Sequence, residues 1–108
     1  MDRCLAHLGM AKKAGLLAVG GDAAATAARR GEAELIITAS DASAGSKRRA
    51  KMNAEANGIM YIAVPFTMFE LGNIAGRGSP GTIAFLDKGL ADGFSKRLAE
   101  NTKESDAQ

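Results

Sequence analysis

Leu35-Ile36-Ile37-Thr38-Ala39-Ser40-Asp41-Ala42-Ser43 decides the fold class. Leu35 to Ala39 is a nearly continuous apolar run of strand length, the pattern of a strand covered on both faces, and such a strand belongs in the centre of a sheet. Ser40, Asp41 and Ser43 make a turn and cap that lead into a helix reaching about Asn57, with Gly58 as its stop.

Downstream, Ile59 to Val64 reads as a strand, and Pro65 ends its ladder by removing a donor. Thr67-Met68-Phe69-Glu70 has the spacing of a capping box, so a short helix begins there and stops near Gly76. A glycine-rich loop through Gly81 precedes a strand over Thr82 to Leu86. Asp87 then caps a last helix with a stripe of Leu90, Ala91, Phe94 and Leu98, and the polar residues after Glu100 are expected to fray.

Upstream, Asp2 caps a first helix with Cys4, Leu5, Leu8 and Ala11 at three- to four-residue spacing, Lys12 and Lys13 in its last turn and Gly15 beyond. Leu16 to Val19 is a short strand. Gly20 and Gly21 follow, and Asp22 is the expected N-cap of an alanine-rich helix, Ala23 to Arg30, closed by Gly31. Alternating strands and helices argue for an α/β layered domain, its central sheet at least partly parallel, with helices on both faces. Residues 1–100 read as one domain and 101–108 as a polar tail.

The 108 residues are 46% hydrophobic, 24% charged and 5% aromatic. That is the balance of a folded chain, and it excludes ring stacking as the main binding mode. Net charge is +2, and the excess is uneven: nine Lys/Arg against six Asp/Glu up to Gly58, five against six beyond. One cysteine, Cys4, permits no intrachain disulfide and suits a reducing compartment, and no run is long and apolar enough for export or membrane insertion. The expectation is a cytoplasmic protein without a membrane partner.

Several constellations invite chemistry. Gly76-Arg77-Gly78-Ser79-Pro80-Gly81 spells G-x-G-x-x-G, but a helix precedes it and a strand follows, the reverse of the dinucleotide context, so a surface turn is expected. Cys4 and His7 are three apart on a helix, the spacing of one face, yet no other Cys or His exists to complete a metal or nucleophile set, so packing is expected of Cys4 and a boundary position of His7. Asp41, Glu70 and Asp87 read as caps rather than acid–base pairs. Lys47, Arg48, Arg49 and Lys51 sit early in a helix, opposing its dipole; a phosphate-facing surface and a solvated face both account for them. No catalytic residues, cofactor or small-molecule substrate can be assigned.

The remaining candidate is the Gly20-Gly21-Asp22 turn, where close backbone approach and the N–H groups of a helix start suit phosphates and polarised base edges. A turn whose only task is packing is the alternative.

Lys12-Lys13-Ala14-Gly15, Gly20 through Gly31, Leu35 through Ser43 and Glu70-Leu71-Gly72-Asn73-Ile74-Ala75-Gly76, in this order, resemble the ribosomal L-seven-Ae/L-thirty-e family, in particular its small bacterial YlxQ-type members, from about Leu8 to Leu98. The resemblance implies a three-layer α/β/α sandwich around a mixed four-stranded sheet. It implies a non-enzymatic protein that binds structured RNA of kink-turn type, with ribosomal RNA, the ribosome or a protein as candidate partners.

In the family, the start of the second helix meets tandem G·A pairs, and the loop after the third strand covers a flipped-out nucleotide. Carried onto the pattern G-x-N-E-x-x-K, Gly20 keeps the glycine, while Asp22, Ala23 and Thr26 stand where Asn, Glu and Lys are usual. Asp22 lacks an amide donor, Ala23 has no acceptor and Thr26 no charge. Gly20, Gly21, Asp22, Ala23 and Thr26 are the expected RNA-reading element, Val64, Pro65 and Phe66 its apolar flank, and Lys12, Lys13 and Arg29 its phosphate contacts. A protein-interaction module of the same fold that has lost kink-turn recognition is the other expectation.

Overall fold

All four residues of Leu35–Thr38 are buried, as are all four of Thr82–Phe85, with which it pairs antiparallel, Ile36 opposite Ala84 and Ile37 opposite Ile83. These two strands occupy the middle of the sheet because only the middle hides both faces. In the computed structural model, which describes residues 3–76, 78 and 80–106, the elements are α1 (Arg3–Lys13), β1 (Leu17–Val19), α2 (Gly21–Arg29), β2 (Leu35–Thr38), α3 (Ala44–Ala56), β3 (Met60–Ala63), α4 (Met68–Ala75), β4 (Thr82–Phe85) and α5 (Lys88–Asp106). The sheet order is β1-β4-β2-β3, with β2 and β3 parallel and β4 antiparallel to β1 and β2. This is the mixed four-stranded sheet expected.

Side-chain alternation divides the core in two. Leu35, Ile37, Ile83 and Phe85 point to a layer formed by Cys4, Leu8 and Ala11 of α1, Leu71 and Ala75 of α4, and Ala91, Phe94 and Leu98 of α5. Ile36 and Ala84 point the other way, to Ala24, Ala27 and Ala28 of α2 and Ala50 and Ala54 of α3. The first layer carries the volume, including the Phe85 and Phe94 rings with centroids 5.0 Å apart at 43°. The second is built almost wholly of alanine, so its helices lie close to the sheet.

Local signals act as read at several ends. The Thr67 hydroxyl accepts from Glu70 N–H while the Glu70 carboxylate accepts from Thr67 N–H, a complete capping box, and Gly76 closes α4 at φ 73. Ser43 caps α3, and the Asp87 carboxylate accepts from Leu90 N–H at 2.9 Å. Two expectations are corrected. The helix begins at Gly21 with Gly20 as N-cap, not at Ala23 with Asp22 as N-cap, because the φ of 106 at Gly20, which glycine adopts without penalty, turns the chain into the helix earlier. The last helix runs on to Asp106 rather than fraying after Glu100, since a formed helix extends through polar residues at little cost. Asp2, read as the cap of α1, and Arg77 and Ser79 of the glycine loop lie outside the described residues.

The glycine loop returns the chain from α4 to β4 by crossing directly over Gly72, where a Cβ would overlap the Gly78 carbonyl oxygen. Backbone lies against backbone there, so neither side can yield by changing a rotamer. Gly72→Ala is therefore expected to lower stability by about 1–3 kcal/mol through overpacking, and Phe94→Ala by about 3–5 kcal/mol through an unfilled core. Urea unfolding followed by circular dichroism measures both.

Candidate functional site

Because β1, β2 and β3 run the same way, their C-terminal ends share one edge of the sheet, where ligand sites of open α/β sheets gather. Backbone hydrogen bonds join the segments at that edge. Gly20 N–H donates to Thr82 C=O at 2.8 Å, Ala39 N–H to Gly81 C=O at 2.9 Å, and Ser40 N–H to Phe66 C=O at 2.8 Å. Across the same edge Met68 N–H donates to the Asp41 carboxylate at 2.8 Å, so a β2–α3 residue caps α4. The start of α2, the turn after β2, the loop after β3 and the first residues of β4 thus form one rim.

At its centre α2 starts without a side-chain cap, which leaves its first N–H groups to solvent or a ligand. Asp22, displaced from the cap position, reaches across to α3 instead, its Oδ1 lying 2.7 Å from Arg49 Nη2. The Asp22 and Arg49 side chains are 95% and 52% exposed, so water screens much of the attraction. A Cβ on Gly21 would come within 3.2 Å of Arg49 Nη1, which places the guanidinium above the glycine backbone.

Of the sequence-derived residues, the rim gathers Gly20, Gly21, Asp22 and the exposed Ala23, with Pro65 exposed on the adjoining loop. The apolar flank is corrected: Val64 and Phe66 are 2% and 8% exposed and belong to the large core, since alternation turns both neighbours of Pro65 inward. Thr26 lies a turn further on and accepts from Arg29 Nη2 at 3.3 Å. Arg29 ends α2, roughly 12 Å along the axis from its start. Lys12 and Lys13 end α1 before β1 begins, at the other end of β1 from the Gly20 turn. Lys12 shares a hollow of about 240 Å³ with Ala23 along the open edge of β1, and both lysines line a further groove with Leu5, Met10 and Ile74.

The basic cluster on α3 divides as well. Lys47 Nζ donates to Ser40 C=O at 2.9 Å and Arg49 pairs with Asp22, whereas Arg48 and Lys51 are exposed and make no ion pair among the described residues.

Sequence reasoning missed two features. Ser46, Arg49, Ala50 and Asn53 fall at i, i+3, i+4 and i+7 and face α2 across a hollow of about 230 Å³, also lined by Gly21 and Thr82. That helical spacing was the available signal. Phe69 is 69% exposed in the first turn of α4, outside the inward stripe of Met68, Leu71 and Ala75. Elsewhere Cys4 is fully buried and the His7 ring packs on Gly93 of α5. Among the described residues no three His, Cys, Asp or Glu are placed to hold a metal ion, and no helix is long and apolar enough to cross a membrane.

The chain matches the Ribosomal protein L7Ae/L30e/S12e/Gadd45 family over residues 2–92. Among solved structures it is similar to a protein of unknown function from Bacillus halodurans C, with a TM-score of 0.85 and 23% identity over 92% of this chain and 99% of that one. It is also similar to the 15.5kD RNA binding protein of Giardia lamblia, with a TM-score of 0.71 and 17% identity over 89% and 82% of the two chains. At these identities the likeness is one of fold. No curated protein matches the chain.

An exposed, screened ion pair adds little to stability. Asp22→Asn is expected to change unfolding free energy by less than about 1 kcal/mol and to leave the circular dichroism spectrum unaltered, which thermal melts of the two proteins check.

Proposed function

The chain belongs to the Ribosomal protein L7Ae/L30e/S12e/Gadd45 family, and from that premise we propose that it is a non-enzymatic protein that binds structured, kink-turn-like RNA. The contact surface in this reading is the rim formed by the start of α2 and the loop after β3. The observation that carries it is the convergence of an uncapped helix start, the exposed Pro65 and the Lys47 and Arg49 side chains of α3 on or beside one edge of the sheet. Bent RNA presents phosphates and opened base edges together, and this rim offers N–H donors, an apolar spot and cations for both.

Asp22, Ala23 and Thr26 shape the affinity. A carboxylate repels phosphate, Ala23 reaches no base edge, and the Thr26 hydroxyl is engaged by Arg29. Binding then rests on phosphate contacts and falls with salt. The same three residues support a second reading, a protein-interaction module of this fold, in which the rim meets a protein and RNA binding is absent.

Titration of a kink-turn RNA and ribosomal RNA fragments at two salt concentrations tests the proposal. Saturable binding at low salt that weakens steeply at high salt is expected, and the triple change Asp22→Asn, Ala23→Glu, Thr26→Lys should tighten kink-turn binding by about tenfold or more, the scale of one or two good base contacts. No saturable binding by either protein at low salt would falsify the RNA reading; capture of a protein partner from nuclease-treated lysate would then favour the second.

A further inference from the structure

The hollow between α2 and α3 exists because its walls are small. Gly21 and Ala24 on one helix and Ala50 on the other leave space that larger residues would close, over a floor of Ile36 and Thr82. Its volume, about 230 Å³, is below the ~300 Å³ at which pockets for drug-sized molecules begin. It suits one flat heterocycle.

The polar groups in it are not all occupied. Thr82 is 6% exposed and its hydroxyl has no hydrogen-bond partner among the described residues, whereas Thr38, its cross-strand neighbour, bonds to the Tyr61 hydroxyl at 2.7 Å. No sealed side-chain N or O atom among the described residues lacks a partner, so the Thr82 hydroxyl opens into the hollow that it lines. The Asn53 carboxamide also makes no hydrogen bond among the described residues, the bond from Asn57 going to the Asn53 backbone carbonyl. At the mouth, the ion pair with Asp22 holds the Arg49 guanidinium above Gly21.

We propose that this hollow holds one unstacked adenine base, with the Arg49 guanidinium stacked on its face, the Asn53 carboxamide on its N6–H and N7 edge and the Thr82 hydroxyl as a further polar contact. This rests on the reading of the adjoining rim as an RNA surface and adds the base that the surface holds. A side-chain amide carries a donor and an acceptor side by side, which is the order adenine presents; guanine presents two acceptors on that edge and needs two donors at once. Guanidinium planes are stacking surfaces for splayed bases. The Asp22 carboxylate disfavours a free phosphate in the same place and leaves the uncharged base as the matching ligand. Asp22 is a positioning residue, acting through Arg49.

Adenosine monophosphate alone and a short RNA with one unpaired adenine, each with its guanine, cytosine and uracil counterparts, are titrated into the isotopically labelled chain and followed by nuclear magnetic resonance. Saturable shifts at Ala24, Ile36, Ala50 and Thr82, seen with adenine and not with the other bases, are expected. Thr82→Val and Asn53→Ala should each weaken the adenine response, Asn53→Ala by about tenfold, the scale of a lost bidentate base contact. Their folds are checked by circular dichroism, and the salt dependence of structured-RNA binding should stay as in the unaltered chain. Shifts with the mononucleotide but none with any RNA assign the pocket to a free adenine nucleotide and remove the rim's RNA reading instead. No saturable shift from either source, or an equal response to all four bases, overturns the pocket.

Discussion

The pairing of β2 with β4, buried on both faces, is the constraint on which the molecule depends. Each residue of this pair faces one of two layers, so Ile36 and Ile37, adjacent in the chain, anchor different sets of helices. β4 is last among the strands in sequence but inserts between β1 and β2, so the sheet is not closed until the chain beyond Gly81 has been placed. Gly72 serves that step, since the loop delivering β4 passes over it. Long-range pairing of this kind costs loop entropy before it yields contacts.

The two layers are unequal, and the inequality is what makes a site. On the α1, α4 and α5 side, leucines and phenylalanines fill the space and leave little room for a ligand in the interior. On the α2 and α3 side, alanines bring the helices close to the sheet but leave a gap between the helices themselves, bridged at its mouth by Asp22 and Arg49. The residues that stabilise this layer by close packing are those that keep the gap open. Its polar lining, Asp22, Ser46, Arg49, Asn53 and Thr82, comes from the start of α2, one face of α3 and the first residue of β4, so polar side chains from three elements converge there.

Local chemistry was legible wherever one stretch sufficed to define it. Thr67 and Glu70 made a capping box because both partners lie within four residues, and Gly76 ended its helix because that conformation is open to glycine. Asp22 was misread for the complementary reason: its side chain answers to Arg49, 27 residues away, and no local pattern contains that partner. Val64 and Phe66, expected with Pro65 as an apolar flank of the loop after β3, turn into the core instead, and that core is assembled from segments no local stretch contains. Asp41 was read correctly as a cap, but the helix it caps is α4, not the one that follows it.

By itself, the sequence determined the number and kind of elements, the central place of Leu35 to Thr38 and the α/β class, because hydrophobic periodicity and turn residues act over a few positions. Only the tertiary structure decided that β4 separates β1 from β2, that Val64 and Phe66 face inward, and that Ser46, Arg49, Asn53 and Thr82 surround one hollow with Gly21. Those outcomes follow from which distant surfaces meet, and burial and pairing between distant residues are settled by the whole chain at once.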